Sequence, residues 1–166
     1  MIRWLSLALF ALIMSQASAQ ELKMRDVFKQ MPDSLMPYLT QNDRLDFIDF
    51  IDSDMKAEVA NRLSGNSELT ALTDDSLSIR MSDALRVDML LMTLDEPIDS
   101  ITQVVVFAET FLVDSIYGET IYHTYSTDWQ LLTNVCIPWN EAQKKRLDAL
   151  CLQNILKRDE DILNNR

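Results

Sequence analysis

The chain has 166 residues, 48% of them hydrophobic, with 26 acids against 15 bases, which suits one folded domain and is too apolar for disorder. Its two glycines (Gly65, Gly118) cannot write a glycine-rich phosphate loop or a dinucleotide fingerprint, and its one histidine (His123) excludes histidine-rich zinc sites and nearly every Ser-His-Asp or Cys-His design not built on His123 itself. The net charge of −11 excludes nucleic acid as a partner, because phosphate binding is powered by clustered Lys and Arg.

Met1-Ile2-Arg3 is a short positive opening, Trp4 to Met14 an apolar run, and Ala17-Ser18-Ala19 a small-residue site of the kind signal peptidase accepts. The run is shorter than the roughly 20 residues of a membrane-spanning helix. Residues 1–19 are therefore expected to be a cleaved signal peptide, and residues 20–166 a single exported domain, periplasmic or secreted, with no membrane association after cleavage.

Leu22 to Met31 reads as a short helix stopped by Pro32, and Pro32 to Leu39 as a bent connector. Thr40, Asn42 and Asp43 are good caps for a second helix. From Arg44 to about Leu63, Ile48, Ile51, Met55, Val59 and Leu63 recur at three- and four-residue steps, which predicts that this helix is long and amphipathic, with Gly65 as its left-handed stop. The period then changes. Leu69, Ala71 and Thr73, the turn residues Asp74-Asp75, and Leu77, Ile79 and Met81 predict a hairpin. Arg86 to Leu94 predicts a strand ending in a turn at Asp95-Glu96-Pro97. Ile101 to Val113 and Ile116 to Tyr125 are dense in β-branched and aromatic residues, with Gly118 available for a bulge or turn, and Trp129 to Ile137 gives a last short strand. Asn140, with Gln143 at the capping-box position, opens a final helix whose Leu147, Cys151 and Ile155 share a face. The order predicts an α+β fold: an antiparallel sheet of five or six strands, with the N-terminal helices and the C-terminal helix packed on one face.

Asp46, Asp49 and Asp52 recur at three-residue steps, where two or three oxygens could converge on calcium. Calcium wants six to eight oxygens and a loop that supplies carbonyls, so the favoured reading is a solvated acidic helix face, with no metal and no cofactor. Asp74, Asp75, Asp95, Glu96 and Asp99 carry turn chemistry, and no carboxylate pair has a spacing that marks catalysis. Trp129, Trp139, Tyr122 and Tyr125 gather in the C-terminal half. Exposed, they would bind a sugar, a peptide or a protein; burial between the last helix and the sheet is the competing expectation. Cys136 and Cys151 are expected as two separate buried thiols, since Cys151 falls deep in the final helix and Cys136 just before it.

Met31-Pro32-Asp33-Ser34-Leu35, Asp43-Arg44-Leu45-Asp46 to Asp49-Phe50-Ile51-Asp52, Ala71-Leu72-Thr73 to Leu77-Ser78-Ile79-Arg80-Met81-Ser82, and Thr127-Asp128-Trp129 resemble an uncharacterised family of small exported proteins, a domain of unknown function from anaerobic gut-type Gram-negative bacteria. The resemblance covers nearly the whole of residues 20–166 and implies export and one compact domain; it implies no activity and no catalytic residue. By elimination the sequence reads as a periplasmic, non-enzymatic binding module for a protein, peptide or glycan, with a carboxylate-dependent hydrolase of glycan or peptide as the alternative. A cleft with two converging carboxylates would favour the hydrolase, and an exposed apolar or aromatic patch the binding module.

Overall fold

A computed structural model describes residues 22–114, 116–133, 135–150 and 164. The expected signal peptide, Cys151 and Ile155 lie outside the described residues, and so does the pairing of Cys136 with Cys151; Cys136 itself is half-buried.

Helix α1 spans Met24–Lys29 and ends before Pro32, and a single 3₁₀ turn at Asp33–Leu35 fills the connector. Helix α2 spans Gln41–Asp52. Thr40 and Asp43 form a full capping box at its start, the Asp43 carboxylate accepting from the Thr40 N–H at 2.6 Å. The expected continuation of this helix to Leu63 is wrong. Asp52-Ser53-Asp54 are short polar residues that compete for the backbone, and Asp54 turns left-handed (φ 53°). The Met55 N–H then donates to Phe50 O and the Asp54 N–H to Ile51 O, a Schellman stop built on aspartate rather than glycine. Met55 and Leu63, each 57% exposed, belong to no buried stripe. Val59 instead lies in strand β1, Glu58–Ala60. Gly65 has no left-handed φ; it belongs to the β1–β2 turn, where Ser64 (φ 62°) takes that conformation.

The sheet is a six-stranded antiparallel meander in chain order: β1, β2 (Asn66–Leu72), β3 (Ser76–Arg80), β4 (Leu85–Ile98), β5 (Ile101–Val113) and β6 (Ile116–Ser126). The predicted hairpin is β2–β3, with a bulge at Thr70 that turns Ala71 outward and Leu72 toward the core. The predicted turn at Asp95-Glu96-Pro97 is instead part of β4, irregularly paired with β5. Reversal comes at Asp99 and Ser100, both left-handed (φ 47° and 72°) between the paired Ile98 and Ile101, a two-residue hairpin of type I′ geometry made without glycine. Gly118 is the extra residue of a bulge in β6, as its position suggested.

Strand alternation splits the core in two. Leu85, Val87, Met89 and Leu91 of β4 and Val105 and Phe107 of β5 face one cluster, with Met24, Phe28, Phe47 and Ile48 from α1 and α2. Leu90, Met92, Leu94, Val104, Val106 and Ala108 face the other, with Trp139 and Leu147. Leu147 belongs to helix α3, Glu141–Ala149, capped by Asn140 and Gln143 as predicted. The α+β class and the antiparallel sheet stand. The placement of all helices on one face does not: α1 and α2 cover one side and α3 the other. The segment after β6 makes this possible. The expected strand from Trp129 to Ile137 reduces to a single bridge, Tyr125 to Leu131, because the chain is passing round the β6 edge from the first face (Trp129) to the second (Ile137, Trp139).

Candidate functional site

The four aromatic residues singled out from sequence are not one patch. Tyr125 and Trp129 lie on the first face and are buried, their rings 5.6 Å apart, and Trp129 Nε1 donates to the carbonyl of Val27 in α1 at 3.1 Å. Phe107 meets Tyr125 edge-on at 6.4 Å. Tyr122 (half-buried) and Trp139 (buried) belong to the opposite face, three residues apart in β6 being enough to change sides. They serve two cores rather than one binding surface.

The acidic residues on α2 are likewise spoken for or scattered. Asp43 caps the helix, and Asp52 accepts from Arg25 Nη2 at 2.7 Å, which holds its carboxyl below the usual range while the same hydrogen bond raises the guanidinium. Asp46 and Asp49 are exposed. Among the described residues no group of three or more His, Cys, Asp or Glu is arranged to hold a metal ion.

A cleft of about 380 Å³ opens between the start of α1, the β2–β3 turn and α3, and it contains two carboxylates. Asp74 pairs with Lys23 at 3.1 Å and Asp75 with Arg146 at 3.0 Å. Each acid is neutralised by its own cation, so the pair is a clasp between layers rather than an acid–base couple. On the second face, Asp88 is buried and accepts from Ser78 Oγ and from Arg86 Nη2 at 2.8 Å, again a satisfied carboxylate.

The remaining candidate is the far end of the first face, where β5 and β6 run past the cover of α1 and α2. Glu109 stands opposite Val87 and Ile121, and Phe111 opposite Leu85 and Glu119; Val87 and Leu85 belong to the first core. Phe111, Val113 and Ile121 therefore share that face, and they are 42%, 68% and 42% exposed. In register, Glu109 and Phe111 on β5 and Ile121 and Glu119 on β6 form a two-by-two block with acids on one diagonal and apolar side chains on the other. His123, exposed, is next along β6 and its ring lies 6.2 Å from Tyr125. Glu109 is half-buried, and burial pushes its carboxyl above the usual range while His123 pulls it partly back. Burial also raises the Tyr125 hydroxyl, with the nearby Glu109 adding to the effect.

None of Glu109, Phe111, Val113 and Ile121 stands out as a site residue in the sequence. The signal is there in the alternation of β5, but its reading needs the register with β4, which tells which alternate residues lie under helices and which beyond them.

A family model described as "Protein of unknown function (DUF3256)" matches residues 14–160, which agrees with the resemblance read from the sequence motifs. Among solved structures, the chain is similar to "a domain of an uncharacterized protein from Porphyromonas gingivalis W83", with a TM-score of 0.53 and 22% identity over 66% of this chain and 53% of that one. This chain thus spans about half the length of the structure it matches, and at that identity the likeness concerns the fold. No curated protein matches the chain.

Proposed function

The chain belongs to the DUF3256 family, and we propose that it is a non-enzymatic binding module, exported to the periplasm, that presents the uncovered end of its sheet to a protein or peptide. The observation that carries this reading is the contiguous exposure of Phe111, Val113 and Ile121 on a face where most of the large apolar residues are buried in the first core. Aliphatic and aromatic side chains rimmed by polar ones, on paired strands of a sheet, suit a protein-binding surface. The hydrolase reading has less support, because both acids of the cleft are occupied by Lys23 and Arg146. Export rests on the signal-like pattern of Met1 to Ala19; among the described residues no helix is long and apolar enough to cross a membrane.

Two measurements test the proposal. Capture from periplasmic extract with the unaltered protein and with a Phe111→Ser, Ile121→Ser variant should retain a protein on the first and lose it on the second. Equal capture by both removes the strip as the binding surface. Intact mass of the periplasmic protein should correspond to a chain beginning at Gln20; a membrane-bound species retaining Met1 to Ala19 refutes export with cleavage.

A further inference from the structure

Among the described residues no lysine or arginine pairs with the acids of the block at the end of β5 and β6, and His123 offsets Glu109 only in part. No lysine or arginine occurs between Arg86 and Lys144, while nine acids do. This stretch supplies most of β4, all of β5 and β6 and the passage round the sheet edge. Among the described residues Glu109 makes no hydrogen bond and no ion pair, in contrast to Asp52, Asp74, Asp75 and Asp88, each of which is held by a cation. A carboxylate half removed from water, with no ion pair and only His123 to offset it in part, is unfavourable in the isolated protein, and a cation brought to it by another molecule relieves that cost.

Resting on the binding-module reading above, we infer that the partner is an extended segment of another protein that carries apolar side chains and lysine or arginine on one and the same face, at every second residue, its apolar residues on Phe111, Val113 and Ile121 and a cation against Glu109. A second copy of the chain does not fit the same surface. A twofold interface sets a patch against itself, so four carboxylates, Glu109 and Glu119 of each copy, would be gathered in one interface on strands that carry no Lys or Arg. A cationic, apolar segment meets the block with opposite charge on one diagonal and like surface on the other, and charge complementarity of this kind selects partners and speeds their encounter.

The test uses the full chain, isotope-labelled for NMR, and three capped octapeptides as probes, each with serine at every even position and, at the odd positions, Leu alternating with Lys (the Leu-Lys peptide), Leu alternating with Glu (Leu-Glu) or Ser alternating with Lys (Ser-Lys), so that the varied side chains share one face. The Leu-Lys peptide is expected to shift the backbone signals of Glu109, Phe111, Val113 and Ile121 and to bind about tenfold more tightly than either other peptide. Glu109→Gln is expected to weaken it severalfold, while Asp46→Asn, on the exposed side of α2, leaves it unchanged. Equal binding of the Leu-Glu peptide overturns the inference, as does an equal loss from Asp46→Asn, which would mark attraction to the acidic chain as a whole. If the Phe111→Ser, Ile121→Ser variant abolishes binding and Glu109→Gln does not, the cation is wrong and the apolar strip survives. If that double variant binds every peptide as the parent does, the strip and the binding-module reading fail together.

Discussion

Arg44 is fully buried at the first turns of α2, where a cation costs free energy unless its donors are used. Its Nη2 donates to the Met31 carbonyl, its Nη1 to the Leu39 carbonyl at 3.5 Å, and it pairs with Asp33 at 2.9 Å, so one side chain ties the whole connector between α1 and α2 to the second helix. Arg44→Met should lower the unfolding free energy by about 3 kcal/mol, because burying an apolar chain there leaves those carbonyls without donors. A urea titration with unchanged slope and a lower midpoint is the expected result; an unchanged midpoint would mean that the connector holds itself. Glu109 is the opposite kind of residue. Its carboxyl is raised by burial, so the folded protein holds that proton more tightly than the unfolded chain does. The stability this gives is complete below the carboxyl's unfolded pKa and is lost as pH rises through the raised folded value. Glu109→Gln should therefore leave stability nearly unchanged under acid conditions and raise it at neutral pH, by less than about 0.5 kcal/mol, because the half of the site open to water screens the effect. A variant less stable at neutral pH would show that Glu109 has a stabilising partner. Neither role is legible in the sequence: Arg44 looks like one more helix residue, and Glu109 like one polar residue in an apolar strand.

The elements are legible wherever a local rule decides them. The capping box at Asn140 and Gln143, the β2–β3 hairpin and the long β5 come from residue types at fixed spacing, while the sequence marks the start of α2 only to within Thr40 to Asp43 and Gly118 only as a bulge or a turn. Where the reading fails, a local signal competes with pairing. The three- and four-residue spacing of Met55, Val59 and Leu63 imitates a helix, but Val59 is held as a strand by its register with Ser67. Asp95-Glu96-Pro97 looks like a turn, yet the reversal comes at Asp99-Ser100, which has no glycine to announce it. That turn gives a prediction. Ser100 holds a φ of 72°, which costs an L-residue about 1 kcal/mol that glycine does not pay, so Ser100→Gly should raise the melting temperature by a few degrees. An unchanged or lower value would mean that the chain entropy added by glycine cancels the relief. Gly118→Ala should act the other way. Its Cβ would lie 3.0 Å from the Phe111 carbonyl oxygen, which belongs to the paired strand and cannot swing aside. A loss of about 1 kcal/mol is expected from forcing the bulge open, and a gain would show that the strands have slack there.

At the scale of the molecule, β4 and β5 are shared property: Leu85, Val87, Met89, Leu91, Val105 and Phe107 belong to the core under α1 and α2, and Leu90, Met92, Leu94, Val104, Val106 and Ala108 to the core under α3. Helix α3 has nine residues, too few to persist alone. It is fixed by its cap, by the fully buried Leu147, and by Gln143 Nε2 donating to the Thr93 carbonyl at 2.6 Å. Losing this layer would expose Leu90, Met92, Leu94, Val104 and Val106 on strands the other core depends on. Both layers should therefore unfold in one transition. The two buried tryptophans report on them separately, Trp129 from the first core and Trp139 from the second. With Trp4 replaced by Phe, a Trp139→Phe variant leaves only the first reporter and a Trp129→Phe variant only the second. In each, the fluorescence midpoint in urea should coincide with the midpoint from far-ultraviolet circular dichroism. Adding Leu147→Ala, which empties a fully buried site, should cost about 3 kcal/mol and move both reporters together. If Trp139 alone responds, and at lower urea than the dichroism, α3 opens as an independent unit and the sheet is stable with its second face bare.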